Sequence, residues 1–119
     1  MRRFLLIDDD EHEFMFINFL LKDRYEDAFT LEYVSTIEDA ESCLSRNGVD
    51  KILLDDKLGG GMTSADTIPK LQKCAFNVPI IVISKDTSGA HLQDRAKMGT
   101  NQIVDKFGFR SELENGLLD

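Results

Sequence analysis

Residues 51–61 read KILLDDKLGGG. A short apolar run that ends abruptly in acids and glycines is typical of a buried strand in a parallel sheet. The carboxyl end of such a strand lies at the edge of the sheet where α/β proteins bind their ligands. Asp55, the first acid after this run, is therefore the first candidate for a chemical role.

Three other apolar segments end in polar residues in the same way. In chain order, the segments and the polar residues after them are Phe4–Ile7 with Asp8 and Asp9, Val78–Ile83 with Ser84, and Ile103–Val104 with Lys106. A further segment, Phe29–Tyr33, alternates apolar and polar residues, which predicts a strand nearer the edge of the sheet. Five strands are therefore expected.

The segments between the strands show the spacing of amphipathic helices. The apolar residues on one face of the first helix are Phe14, Ile17, Leu20 and Leu21. Asp10 is a suitable cap for this helix. Phe16 and Phe19 widen its apolar face, so we expect the helix to be well covered.

Four further helices are expected near residues 36–47, 66–73, 92–98 and 113–118. Pro69 is assigned to the first turn of the helix over 66–73, because proline costs about 3 kcal/mol in a helix interior. Strands that alternate with helices throughout predict an α/β fold, with a parallel sheet covered on both faces and right-handed crossovers.

Composition limits the function. The chain has 119 residues, is 42% hydrophobic and carries a formal net charge of -8. This size fits a single domain over residues 1–119. The acidic balance argues against nucleic-acid and membrane surfaces, both of which select clustered Lys and Arg. Cys43 and Cys74 are read as reduced thiols, and no signal peptide or membrane span is recognised, so a cytoplasmic location is expected.

In a parallel sheet every strand presents its carboxyl end at the same edge, so the polar residues that follow the apolar segments converge. Crowded carboxylates repel one another, and a bound divalent cation relieves that repulsion. A set of ligands made only of oxygen favours Mg²⁺. Beside such an ion, Lys106 and Ser84 suit a phosphoryl group, and Asp55 suits the nucleophile that accepts it.

Four motifs in this order, FLLIDDD, KILLDDKLGGG, PIIVISKD and IVDKF, extend over nearly the whole chain. With them the chain resembles the receiver domain of two-component response regulators, of the chemotaxis-regulator type. The resemblance implies a flavodoxin-like, doubly wound (βα)5 fold with a five-stranded parallel sheet. It also implies a phosphorylation switch, which catalyses only its own phosphorylation and dephosphorylation.

The resemblance also implies roles for individual residues. Asp55 matches the phosphoryl acceptor. Asp9 matches a direct Mg²⁺ ligand, Asp8 an acid that acts mainly through water, and the backbone carbonyl of Lys57 a third ligand. Ser84 matches the hydroxyl position and Lys106 the lysine that contacts the phosphoryl group.

The partners implied are a histidine kinase or a phosphotransfer protein upstream and a protein target or output domain downstream. No direct contact with nucleic acid or membrane is expected. Phosphorylation would shift the surface around the fourth helix and the fifth strand.

Two positions depart from the family pattern. Ile103 stands where an aromatic residue is common, so the usual coupled movement of a hydroxyl and a ring cannot operate in its ordinary form. Phe107 stands where the family has a proline after a cis peptide bond. A cis bond before a residue other than proline costs roughly 2.5 to 4 kcal/mol, so we expect a trans bond and an altered loop.

Several alternatives remain. The chain could be a degenerate receiver that binds partners without phosphorylation, as Ile103 and Phe107 suggest. Asp8 and Asp10 also match the D-x-D pattern of haloacid-dehalogenase-type phosphohydrolases, with Asp8 as nucleophile. Asp56 is interpreted as a solvated neighbour of Asp55, and Phe107 and Phe109 as core residues.

Overall fold

The computed structural model describes residues 1–46, 48–58, 61–75, 77–85 and 102–119. The strands are β1 (Arg2–Ile7), β2 (Phe29–Val34), β3 (Lys51–Asp55), β4 (Ile80–Ser84) and β5 (Gln102–Asp105). The helices are α1 (Glu11–Tyr25), α2 (Ile37–Arg46), α3 (Ser64–Cys74) and a C-terminal helix (Phe109–Glu114), which follows a 3₁₀ turn over Lys106–Gly108. The helix predicted over residues 92–98 lies outside the described residues.

The five strands form one parallel sheet in the order β2-β1-β3-β4-β5. The predicted α/β fold is confirmed, with β3 at the centre and the alternating strand β2 at an edge. From β1 the chain first adds β2 on one side and then returns to add β3 on the other. Order reversals of this kind open a crevice at the carboxyl ends of the two central strands, here β1 and β3.

Each face of the sheet has its own apolar core. On one face, Leu5, Leu54 and Val82 pack with residues of α2 and α3. On the other, Leu6, Leu53 and neighbouring residues pack with α1 and the C-terminal helix. Alternate residues of the central strands therefore serve opposite cores, which explains why these strands are apolar without interruption.

Helix α1 begins where the sequence predicted and exposes more apolar surface than expected. Asp10 caps it, and its carboxylate accepts a hydrogen bond from the backbone N–H of His12 at 2.9 Å. The expectation that Phe16 and Phe19 are covered is wrong, because they are 45% and 61% exposed, and Met15 beside them is also exposed. Helix α1 buries Ile17, Leu20 and Leu21 in the core. Met15 and Phe19 point away from that face, and Phe16 lies at its edge.

Helix α3 begins two residues earlier than predicted, at Ser64, so that Pro69 lies inside the helix and not in its first turn. The start is determined by Asp66, whose carboxylate accepts a hydrogen bond from the backbone N–H of Thr63 at 3.0 Å. A carboxylate that reaches back in this way satisfies a donor at the helix start. The apolar spacing around Pro69 did not reveal this contact.

Phe107 and Phe109, both predicted to be core residues, differ in burial. Phe109 is buried against the face that carries α1, whereas Phe107 is 82% exposed, so the core assignment of Phe107 is wrong. The peptide bond between Lys106 and Phe107 is trans, as expected. The backbone N–H of Phe107 donates to the Asp105 carboxylate, which stabilises the 3₁₀ turn.

Two further expectations concern the chain as a whole. Cys43 and Cys74 are reduced and are not joined in a disulfide, as predicted. Among the described residues, no helix has the length and apolar character needed to cross a membrane.

Candidate functional site

The strand register brings the predicted acids side by side. In β1 and β3, which are adjacent, Ile7 lies opposite Leu54. The residues that follow, Asp8 and Asp55, therefore reach the carboxyl edge of the sheet at the same level. Parallel pairing produces this match although the two acids are 47 positions apart in the sequence.

The register continues to the other predicted residues. Asp55 lies opposite Ile83 in β4, so Ser84 comes one position later at the same edge. Ser84 in turn lies opposite Asp105 in β5, and Lys106 is the residue directly after Asp105. All of the predicted site residues line a single pocket of about 320 Å³: Asp8, Asp9, Asp55, Lys57, Ser84 and Lys106.

Three of these acids form a group that fits a metal ion. Each of Asp8, Asp9 and Asp55 offers one carboxylate oxygen, and these oxygens lie within 4.8 Å of one another. Asp8 is buried, and its Oδ1 accepts a hydrogen bond from the backbone N–H of Asp10 at 2.9 Å. The backbone N–H of Lys57 donates to the Asp55 carboxylate. An all-oxygen group of this kind suits a hard divalent cation such as Mg²⁺.

Lys106 brings a buried positive charge to this group. Its Nζ lies 3.3 Å from Glu13 Oε1, 3.9 Å from Asp8 Oδ2 and 4.0 Å from Asp55 Oδ1. Lys106 is therefore a buried lysine of the pocket. No pattern in the sequence pointed to Glu13, because its contact with Lys106 depends on where α1 lies relative to the end of β5.

The electrostatics of the pocket change the acidity of its carboxyl groups. Burial and the neighbouring Asp8 raise the pKa of Asp55 from 3.8 to about 7, although Lys106 opposes the shift. Burial also raises the pKa of Asp8. Both pKa values rise because it is costly to hold negative charges close together away from water.

The raised pKa of Asp55 predicts how stability depends on pH. Between pH 3.8 and about 7 the folded protein keeps a proton on Asp55 that the unfolded chain releases. The folded state then binds more protons, so stability falls as pH rises. Without divalent cations, we expect the free energy of unfolding to drop by roughly 2 kcal/mol from pH 5 to pH 8.

Urea unfolding at pH 5 and pH 8 in the presence of a chelator measures this drop. Asp55→Asn has no titrating carboxyl group at this position and should give a much smaller difference between the two pH values. Mg²⁺ added at pH 8 should restore stability to the wild type, because a cation that binds the folded state stabilises it. An equal pH dependence in the two proteins would contradict the prediction.

The prediction that Asp56 is a solvated neighbour of Asp55 is wrong. It is 1% exposed rather than solvated, and its carboxylate accepts a hydrogen bond from Ser64 Oγ at 2.7 Å. Side chains alternate between the two faces of a sheet along each strand. Asp55 therefore points to the same face as Leu53, whereas Asp56 points to the same face as Leu54, against which α3 packs. This alternation is the signal that could have distinguished the two acids.

A sequence profile of the response regulator receiver domain matches residues 4–117. The chain belongs to this family. Receiver domains are signalling domains of two-component systems, so the match agrees with the resemblance seen in the four motifs. A comparison with curated proteins found no sequence match.

Solved structures show the same fold. The receiver domain of a sensor histidine kinase from Pseudomonas aeruginosa PAO1, with magnesium coordinated in its active-site cleft, is 20% identical, with a TM-score of 0.78 over 96% of this chain and 92% of that one. A CheY-like receiver domain protein from Methanospirillum hungatei JF-1 is 17% identical, with a TM-score of 0.81 over 98% and 90% of the chains. The receiver fold is thus shared at low sequence identity.

A third similar structure contains a phosphorylated aspartic acid. It is a response regulator from Burkholderia pseudomallei with a phosphorylated aspartic acid and a calcium ion. It is 19% identical to this receiver domain, with a TM-score of 0.72 over 99% of this chain and 74% of that one.

Proposed function

We propose that this receiver domain, taken as residues 1–119, accepts a phosphoryl group on Asp55 in the presence of Mg²⁺ and switches a protein-binding surface. The observation that carries the proposal is the approach of three carboxylate oxygens, from Asp8, Asp9 and Asp55, to within 4.8 Å of one another, with the Lys106 ammonium 4.0 Å from Asp55. Such a site combines an acceptor carboxylate with positive charge for the incoming phosphoryl group.

The residues present fit Mg²⁺. Asp9 is the exposed acid of the group and would bind the ion directly, whereas buried Asp8 would act mainly through water. Asp55 and the backbone carbonyl of Lys57 would complete the protein ligands, the latter by resemblance to the family. The raised pKa of Asp55 supports this assignment, because it results from burial and from the negative charge of Asp8, and a cation would offset both effects. When bound, the ion neutralises charge on the phosphoryl oxygens.

Asp55 would act as the nucleophile. One of its carboxylate oxygens forms a bond to phosphorus while the bond between phosphorus and the donor's histidine nitrogen breaks. The electron pair of that bond stays on the imidazole, and the product is an acyl phosphate on Asp55. Lys106 Nζ would donate to a phosphoryl oxygen, and so would the hydroxyl of Ser84, which lies at the end of the adjacent strand.

The donor would be a histidine kinase or a phosphotransfer protein, and the receiver would pass its state to a protein target or an output domain. Phosphorylation replaces the carboxylate charge of Asp55 with a phosphoryl group that carries about two negative charges beside Ser84 and Lys106. Their new contacts would change the surface near β5, as the family resemblance implies. The cytoplasmic location stays a prediction.

The proposal is tested by mixing the protein with Mg²⁺ and acetyl phosphate and measuring its intact mass. We expect one added phosphoryl group, mapped to Asp55 after stabilising reduction, and none in the presence of a chelator. Modification of Asp8 would instead support the phosphohydrolase alternative. No modification, together with no amide NMR response to beryllofluoride near Asp55, would support the degenerate receiver suggested by Ile103 and Phe107.

The exposed face of α1 predicts where the donor protein binds. Met15, Phe16 and Phe19 form an apolar face on the helix that begins one residue after Asp10, at the rim of the pocket. A donor histidine must come within bonding distance of Asp55, so the donor protein has to contact this rim. We expect Phe19→Ser to slow transfer from the cognate protein donor at least about tenfold, because buried aromatic contacts dominate interface energies.

Phosphorylation by acetyl phosphate supplies the control for this variant. Its rate should stay within about twofold of the wild type, because a small donor needs no protein contact. Lys70→Ser, which changes an exposed residue of α3 on the other side of the sheet, should leave both rates unchanged. If Phe19→Ser transferred at the wild-type rate from the protein donor, the assignment of this face would be wrong.

A further inference from the structure

The carboxylate closest to Lys106 belongs to neither the acceptor nor the acidic pair. Lys106 Nζ lies 3.3 Å from Glu13 Oε1, compared with 3.9 Å from Asp8 and 4.0 Å from Asp55. Only the first distance is close to hydrogen-bonding range. In the unphosphorylated domain, Glu13 is therefore the main partner of the ammonium.

This ion pair is largely shielded from water. The side chains of Lys106 and Glu13 are 10% and 16% exposed, respectively. Charges in such a position interact more strongly than a pair on the open surface, which water and salt screen. Glu13 lies in the first turn of α1 and Lys106 directly follows β5, so the pair also connects these two elements.

Glu13 has no place in the proposed metal group. The oxygens that approach one another closely belong to Asp8, Asp9 and Asp55. Glu13 instead contacts the Lys106 ammonium, with 3.3 Å between Oε1 and Nζ. Its negative charge also adds to the rise in the pKa of Asp8 that burial mainly causes. A phosphoryl group on Asp55 would therefore compete with Glu13 for the same ammonium.

We propose that Glu13 is a positioning residue that holds Lys106 in the unphosphorylated state and weakens its contact with a phosphoryl group on Asp55. The inference rests on the proposed phosphoacceptor function. Glu13 draws the ammonium towards α1, and the phosphoryl oxygens draw it towards Asp55. Transfer of the ammonium from one to the other then accompanies phosphorylation and releases the tie between α1 and the end of β5.

The test compares Glu13→Gln with Glu11→Gln. Both substitutions remove one negative charge from the first turn of α1, but Glu11 is exposed. Binding of beryllofluoride, a mimic of the phosphoryl group, is followed by amide NMR at saturating Mg²⁺. We expect Glu13→Gln to bind the mimic about fivefold more tightly than the wild type, and Glu11→Gln to bind within about twofold of it.

A Lys106→Met background separates the action of Glu13 through Lys106 from its direct charge effect. In that background, Glu13→Gln should change the affinity for the mimic by less than about twofold, because the ammonium is gone. A second readout needs neither Mg²⁺ nor fluoride. The ¹⁵N resonance of the Lys106 ammonium should shift in Glu13→Gln and stay in place in Glu11→Gln.

The outcomes distinguish this inference from the proposed function. If the wild type binds the mimic at Asp55 and Glu13→Gln binds it with equal affinity, the inference is overturned and the phosphoacceptor function stands. An unchanged Lys106 resonance in Glu13→Gln overturns the inference as well. If the wild type does not bind the mimic at all, the proposed function fails and the competition by Glu13 fails with it.

Discussion

Asp55→Asn is expected to reduce phosphoryl incorporation from acetyl phosphate by at least about a hundredfold, because a neutral amide is a poor nucleophile. The substitution keeps the size of the side chain, so the pocket should keep its shape. It also removes one of three negative charges that approach one another within 4.8 Å. The folded protein without Mg²⁺ should therefore become more stable at pH 8 even as it loses the ability to accept a phosphoryl group.

The matched control is Asp10→Asn. Asp10 also lines the pocket, and the same change of carboxylate to amide leaves an effective helix cap. This variant should incorporate phosphoryl groups at a rate within about threefold of the wild type, since only a surface charge is lost. The intact mass of each variant after timed reaction gives the rates. Phosphorylation of Asp55→Asn at the wild-type rate would show that a different residue is the acceptor.

Asp56→Ala should destabilise the domain by about 3 kcal/mol, because it removes a buried carboxylate that anchors the start of α3. Asp56 is 1% exposed and accepts a hydrogen bond of 2.7 Å from Ser64 Oγ. Without this acceptor, the buried hydroxyl of Ser64 loses its partner and a cavity remains. Urea unfolding monitored by circular dichroism at pH 7 measures the effect.

Two variants show whether the contact itself is responsible. Ser64→Ala removes the donor and should cost about 1 to 2 kcal/mol, and the double variant should cost less than the sum of the two. Asp56→Asn keeps an oxygen acceptor and should be milder than Asp56→Ala. Additive effects of Asp56→Ala and Ser64→Ala would mean that the stability comes from other contacts of Asp56.

The opposite effects expected at Asp55 and Asp56 illustrate what the sequence pattern could resolve. Both acids follow the same apolar run, and the pattern identified the end of the strand correctly. It did not distinguish Asp55, which belongs to the group that fits a metal ion, from Asp56, which anchors a helix. The distinction follows from side-chain alternation once the two cores are known, because Leu53 and Leu54 belong to different faces.

The exposure of the apolar residues of helix α1 is a second feature that the sequence pattern did not predict. Its apolar residues extend around more than one face, and the pattern alone implied that all of them are covered. The sheet covers the face with Ile17, Leu20 and Leu21, and it leaves Phe16 and Phe19 exposed. Helical spacing reports which residues share a face, whereas coverage depends on the elements that pack there.

The amino-acid sequence by itself determined the parallel sheet, the edge at which its polar residues converge and the family of the domain. These features follow from local signals: the apolar runs, the residues that end them and the general rules for connecting parallel strands. The tertiary structure alone decided that Glu13 pairs with Lys106, that Asp56 anchors α3 and that part of α1 stays exposed. The pair of Glu13 and Lys106 joins elements that are distant in sequence. All three features depend on how the helices pack on the sheet, which no local pattern specifies.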